Sequence, residues 1–371
     1  MNYIVTTTIN LPTNLKDYVI DFKDHGHDYL IIVVGDQKTP NEVGTFCDTL
    51  DSVIYIDIKA QEQLYNNLPI YSHIPFNSVQ RRNLGYLFCF QEGISQDDIL
   101  ITIDDDNLLN ERDFLGKHGN GEIIAETLYS SKTEWFNPLS KFYSENIVPR
   151  GFSLFNEMIN ESFVKVKKKK KIPIAVNAGL WEENPDIYAI TRMQEQSRNK
   201  SKYKVFRDEP LVLSNNVWSS FNSQNTSYLN EFWLTAYLCP YIGRFDDIFS
   251  SFITTRIAYH LGFGISFGKP IVTQQRNEHD LFNDFLLELH GMAIVDKFVS
   301  FLSDINIVST TILECYSEIL KHIKNDFTLY VFDQGGHPFG RTPWDMNKLI
   351  EGMELWLESI DHLNINHNKL L

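Results

Sequence analysis

Residues 97–107 read DDILITIDDDN, an apolar run that ends in three consecutive carboxylates. The segment ILITI (99–103) lacks apolar/polar alternation, as expected of a strand covered on both faces. Two similar runs precede it: YIVTTTI (3–9), which stops at Asn10-Leu11-Pro12, and LIIVVGD (30–36). A further strand is expected at SVIYIDI (52–58). Between them lie segments of helical spacing. Leu15, Tyr18, Val19 and Phe22 fall on one helical face, and NSVQRRNLGYLFCFQEG (77–93) begins at a capping Asn or Ser and ends at Gly93. Alternating strand and helix predict an α/β fold with a parallel sheet. Ligands of such sheets sit at the carboxyl ends of the strands, so Gly35-Asp36 and Asp104-Asp105-Asp106 should face one crevice.

Composition sets the outer bounds. The chain has 371 residues, 43% apolar and 13% aromatic, enough for a large core and against disorder. Its 33 Lys and Arg against 48 Asp and Glu give a net charge of −15, which argues against nucleic-acid binding. No apolar stretch is long enough to span a bilayer, and MNYIVTTTINLPTN has no basic region ahead of an apolar core, so it is not read as a signal peptide. Cys47, Cys89, Cys239 and Cys315 are widely spaced and read as reduced core thiols. The expected compartment is cytoplasmic.

Residues 110–295 are richer in aromatics and less periodic, whereas the chain beyond 296 turns helical. There Met346, Leu349, Ile350, Met353, Trp356, Ile360 and Leu363 form one apolar stripe. The expected division is a catalytic domain over 1–295 and a helical extension over 296–371. Six lysines in KVKKKKK (Lys165–Lys171) read as a hairpin tip or mobile loop, or as a patch for an anionic acceptor or a membrane surface.

Three carboxylates at a strand end repel one another unless a cation or donors offset them, and hard oxygen ligands suit Mg²⁺ or Mn²⁺. In extended backbone Asp104 and Asp106 would share a side, with Asp105 turned away. Asp36 could grip a base or ribose. Arg82 and Asn83, at the start of a helix, could meet a phosphate. Asp246-Asp247 is read as a helix cap or a general base. His279, beside Asp280, is a candidate metal ligand.

Eight segments in order resemble the reversibly glycosylated polypeptides, which include the UDP-arabinopyranose mutases, and the related STELLO glycosyltransferase-like proteins. They are VVGDQKTP (33–40), RRNLGY (81–86), ITIDDDN (101–107), VPRGFSLFN (148–156), NAGLWEENPDIYAITR (177–192), YIGRFDDIFSSFI (241–253), HLGFGISFG (260–268) and QRNEHD (275–280). The resemblance implies a GT-A-like, Rossmann-type nucleotide-sugar fold, a UDP-sugar donor and a divalent metal at the triplet. By that resemblance Asp106 would ligate the metal directly and Asp104 would lie nearer the ribose. Arg150 matches the arginine of the segment that becomes glycosylated in the family. Asp247, ahead of Asp246, would act as base, and Trp181 would wall the sugar pocket. STELLO proteins carry a Golgi membrane anchor, a departure from the sequence seen here. The leading expectation is metal-dependent transfer of a sugar to a glycan or other hydroxyl acceptor. The alternatives are a pyranose/furanose mutase and a catalytically silent nucleotide-sugar-binding partner. A homo-oligomer is compatible with all three.

Overall fold

The computed structural model describes residues 1–131, 133–143, 147–157, 163–197, 209–215, 217–276, 280–327 and 345–368. Four strands form its first half: β1 (Asn2–Thr7), β2 (Tyr29–Val34), β3 (Val53–Ile56) and β4 (Ile99–Ile103). All pair in parallel, in the order β3-β2-β1-β4. Ile4, Val5, Ile31 to Val34, Leu100 and Ile101 are wholly buried, which explains why these strands show no alternation. The helix Arg82–Gln91 crosses this sheet at close range. At Gly85 a Cβ would stand 2.4 Å from Val5 Cγ1 and 2.8 Å from Val34 Cγ2, so the absent side chain sets the helix–sheet spacing.

The less periodic middle of the chain supplies six more strands: β5 (Asn107–Leu109), β6 (Glu122–Ser131), β7 (Phe163–Glu182), β8 (Leu211–Leu213), β9 (Asn225–Tyr228) and β10 (Gly264–Gln274). Antiparallel β9 joins β4 to β7, continuing the sheet. The early part of β7 pairs with β6 and its later part with β10, while β8 bridges β6 and β10. These four strands close a ring beside the parallel half. The lysine tract is therefore neither a hairpin tip nor a loop. It lies within β7, where Lys167, Lys170 and Lys171 sit opposite Thr127, Ala125 and Ile124 of β6. Lys171 pairs with Glu122.

Three helices, Leu281–Asp304, Ile312–His322 and Met346–Asn368, form the helical C-terminal region. The division expected at 295/296 falls inside the first of them. Val295 and Phe298, on either side of that point, share a core with the N-terminal half. The last helix is tied in by Trp356, whose ring meets Phe90 edge-on and stacks on Tyr237, while its Nε1 donates to Leu234 O at 2.9 Å. The expected α/β class and Rossmann-type half are present, with a mixed-pairing half added. Among the described residues, no helix is long and apolar enough to cross a membrane. All four cysteines are buried and unpaired.

Candidate active site

A cleft of about 550 Å³ opens at the carboxyl end of the parallel strands. Six aspartates (36, 104, 105, 106, 246 and 247) and four arginines (82, 150, 244 and 276) contribute to its wall. The strand ends thus locate the crevice in the sequence, and the motif Asp246-Asp247, far away in the chain, lines the same cleft.

The triplet forms a turn between β4 and β5, not extended backbone, so the expected shared side for Asp104 and Asp106 does not arise from strand geometry. Each carboxylate has its own partner. Asp104 Oδ1 accepts from Arg82 Nη2 at 2.6 Å. Asp105 Oδ2 accepts from Thr8 Oγ1 at 2.6 Å. Among the described residues, the Asp106 carboxylate accepts only from Gln274 Nε2, at 3.4 and 3.5 Å. Burial, with Asp104 and Asp105 close by, pushes the Asp106 carboxyl up to about 7. Among the described residues no group of three or more acidic, His or Cys side chains forms a ready cation cage. Asp106 nevertheless fits a divalent ion that takes one or two protein carboxylates and completes its shell with phosphate oxygens. His279 lies outside the described residues.

Asp36, just past β2, is held by backbone amides. Asp36 Oδ1 accepts from Gln37 N at 2.7 Å and Oδ2 from Ser78 N at 3.0 Å, at the mouth of the cleft. Of the two adjacent arginines, only Arg82 reaches the cleft. Arg81 is buried against Gln61, with its guanidinium over the Phe76 ring. Asn83 does not serve a ligand either. It is fully buried and latches Leu238 through two 2.8 Å bonds, one in each direction, because a helical turn rotates it away from Arg82.

The helix Asp246–Leu261, whose first residues line the cleft, starts from the turn Gly243–Phe245. Twelve of its residues are buried, so packing fixes the helix while leaving those first residues on the cleft wall. Asp247 accepts from Arg150 Nη2 at 3.1 Å and from Ser223 N at 3.1 Å. Arg150 also donates to Asp186 from Nη2 (2.8 Å) and Nε (3.0 Å), and to Arg244 O from Nη1. Burial opposes charge on Arg150, but Asp186 and Asp247 outweigh it and push its pKa up. Asp186 is buried too, yet Arg150 holds it well below the usual carboxylate range.

Asp246 behaves differently. It accepts from Gln80 Nε2 at 2.6 Å, and burial beside Asp247 pushes its carboxyl up to about 7. At Asp246, burial and the like charge of Asp247 therefore prevail over the dipole of the helix N-terminus. The preference for Asp247 as base also weakens, because that carboxylate is engaged by a guanidinium and a backbone amide. Asp246 has the freer chemistry.

Trp181 is also corrected. It is 5% exposed on β7 and lines a separate void of about 20 Å³ behind Arg150 and Asp186, with no place on the main cleft wall. Several cleft residues were missed from sequence. Arg244, Gln274 and Arg276 line the cleft, and Asp186 anchors Arg150. The motifs GRFDD and QRNEHD contain both arginines, but an arginine in a motif gives no local sign that it lines a cleft.

The chain is similar to known proteins in three ways. The chain is 25% identical to probable UDP-arabinopyranose mutase 1 of Solanum tuberosum, over 75% of this chain and 71% of that one. It is 24% identical to the probable glycosyltransferase STELLO2 of Arabidopsis thaliana, over 73% of this chain and 35% of that one. Among solved structures, glucosyl-3-phosphoglycerate synthase of Mycobacterium tuberculosis, crystallised with Mn²⁺, UDP-glucose and phosphoglyceric acid, superposes with a TM-score of 0.42. Identity there is 12%, over 81% of this chain and 80% of that one. The family described as reversibly glycosylated polypeptide matches residues 2–358. With the match running through both halves of the cleft, the chain belongs to the reversibly glycosylated polypeptide family.

Proposed function

We propose that the chain acts on a UDP-sugar, breaking the bond between the anomeric carbon and the diphosphate, with a hydroxyl acceptor as the leading destination of the sugar. One observation carries this reading: a strand-end acidic triplet and the Arg150–Asp247–Asp246 group wall the same cleft. The relatives named as UDP-arabinopyranose mutases and as a probable glycosyltransferase support the substrate class.

Asp36 at one end suits a nucleoside hydroxyl or base edge. Asp106, with Asp104 beside it, would hold Mn²⁺ or Mg²⁺, which when bound neutralises charge on the departing diphosphate. Asp246, as the carboxylate, takes the proton of the acceptor hydroxyl. The acceptor oxygen then bonds to the anomeric carbon, and the diphosphate oxygen leaves with the bonding electrons. A group with a pKa near 7 suits this task at neutral pH. Arg150, fixed by two carboxylates, offers positive charge at the cleft wall with no reorganisation.

A second reading, pyranose/furanose interconversion with no acceptor, is favoured by the mutase relatives and by the match at Arg150. Incubating the protein with UDP-sugars and Mn²⁺, then resolving products by chromatography, tests both. UDP with a new glycoside supports transfer, and a rearranged donor supports the mutase. Donors recovered unchanged would leave a silent binding partner.

A further inference from the structure

We propose that Arg244 and Arg276 form an anion subsite in the cleft, taking a phosphoryl or carboxylate group of the bound substrate. The inference rests on the nucleotide-sugar reading only for the identity of that substrate. The two residues come from different motifs, 32 positions apart by their numbering, yet both line the cleft. One carboxylate joins them. Asp284 Oδ1 accepts from Arg244 Nη1 at 3.3 Å, and its Oδ2 accepts from Arg276 Nη2 at 3.2 Å. Glu288, one turn further along the helix Leu281–Asp304, accepts from Arg244 Nε at 3.1 Å.

The second guanidinium is poorly compensated. Its side chain is 12% exposed, its Nε is buried with no partner among the described residues, and its ion pair to Asp284 is shared with Arg244. A guanidinium has five donor hydrogens, and burying one with so few acceptors is costly unless an anion arrives. A planar fork of this kind suits a phosphoryl or carboxylate oxygen pair. The place is also suitable. Gln275 N donates to Asp106 O at 2.9 Å, so Arg276 begins beside the acidic triplet. Arg244 stands two residues before Asp246. The pair therefore links the donor side of the cleft to the proton-handling side, where a diphosphate or an acidic sugar would pass.

The test compares wild type, Arg276→Gln and Arg276→Lys by calorimetry with inorganic pyrophosphate, UDP, UMP, UDP-glucose and UDP-glucuronate, thermal melts confirming the fold. Arg276→Gln should weaken pyrophosphate binding about tenfold or more, the scale of a lost charged hydrogen bond, and Arg276→Lys should recover part of it. If the subsite takes the diphosphate, the wild-type preference for UDP over UMP collapses in Arg276→Gln. If it takes a sugar carboxylate, the preference for UDP-glucuronate over UDP-glucose collapses instead. Pyrophosphate affinity and both preferences unchanged by Arg276→Gln would overturn the subsite. Should wild type bind pyrophosphate in an Arg276-dependent way but no nucleotide, the subsite stands and the nucleotide-sugar reading falls. Should it bind none of the five, both fall.

Discussion

Arg150 Nη2 and Asp247 Oδ1 lie 3.1 Å apart across 97 positions of sequence, with both side chains buried. This contact joins the loop before β7 to the start of the Asp246–Leu261 helix, and Asp186 completes it from a third segment. Removing one member of a buried ionic group leaves the others uncompensated, at about 3–5 kcal/mol. Arg150→Met should therefore lower stability by that order in urea unfolding, and Asp186→Asn by less, since Asp247 still faces the guanidinium. Unchanged midpoints would show that the network carries no structural weight.

Arg150 also separates the two chemical readings. Its guanidinium is charged and its nitrogens are engaged by Asp186, Asp247 and Arg244 O. In that state it is a poor nucleophile, so transfer should proceed with no sugar mass on the protein. Intact-mass spectra after incubation with donor check this. A stable adduct mapping to Arg150 would favour the mutase reading.

Asp246 should govern pH dependence. Its pKa is about 7 in the folded chain against an ordinary 3.8. Between those values the folded protein keeps a proton that the unfolded chain has released. Stability from this group is thus present at low pH and is lost as pH rises from about 4 to 7, with a slope of at most about 1.4 kcal/mol per pH unit. Asp106 is raised to about 7 as well and adds a slope of the same sign, so Asp246→Asn should lessen that part of the stability profile without abolishing it, and raise the melting temperature at pH 8. In turnover, wild type should gain rate as pH rises through about 7. The variant should lose about 10²- to 10⁴-fold and this limb with it. A normal limb in the variant would move the base elsewhere.

Much of this was legible in the sequence, and the reasons differ by element. The strands 3–9, 30–36 and 97–103 announce themselves because burial on both faces removes polar residues, and ligand position follows from strand ends. β7 was not legible. Six lysines on one strand contradict the apolar signal for a sheet, and its backbone pairing with β6 is a tertiary fact. Asp246 is legible as part of a motif, but its raised pKa is not, because helix position is local and burial is not. Asn83 and Trp181 show the converse limit, since a polar or aromatic residue inside a motif can serve the core. Arg244 and Arg276 became visible only when Asp284 brought them together.

Close packing gives a prediction free of chemistry. A methyl group at residue 85 would meet Val5 and Val34, both in strands that cannot move independently. Gly85→Ala should cost about 1–3 kcal/mol through overpacking, despite the better helix propensity of alanine. A rise in melting temperature would show that the helix–sheet spacing yields.

The most direct test of the central claim is donor consumption with and without Mn²⁺ in wild type and Asp106→Asn. Each protein is incubated with UDP-sugars, and nucleotide products are resolved by chromatography. If the cleft works on a UDP-sugar held at the acidic triplet, wild type consumes or rearranges at least one donor in the presence of Mn²⁺. Asp106→Asn then loses this activity while melting as a folded protein. Donors untouched by wild type under all conditions, or equal activity in Asp106→Asn, would contradict it.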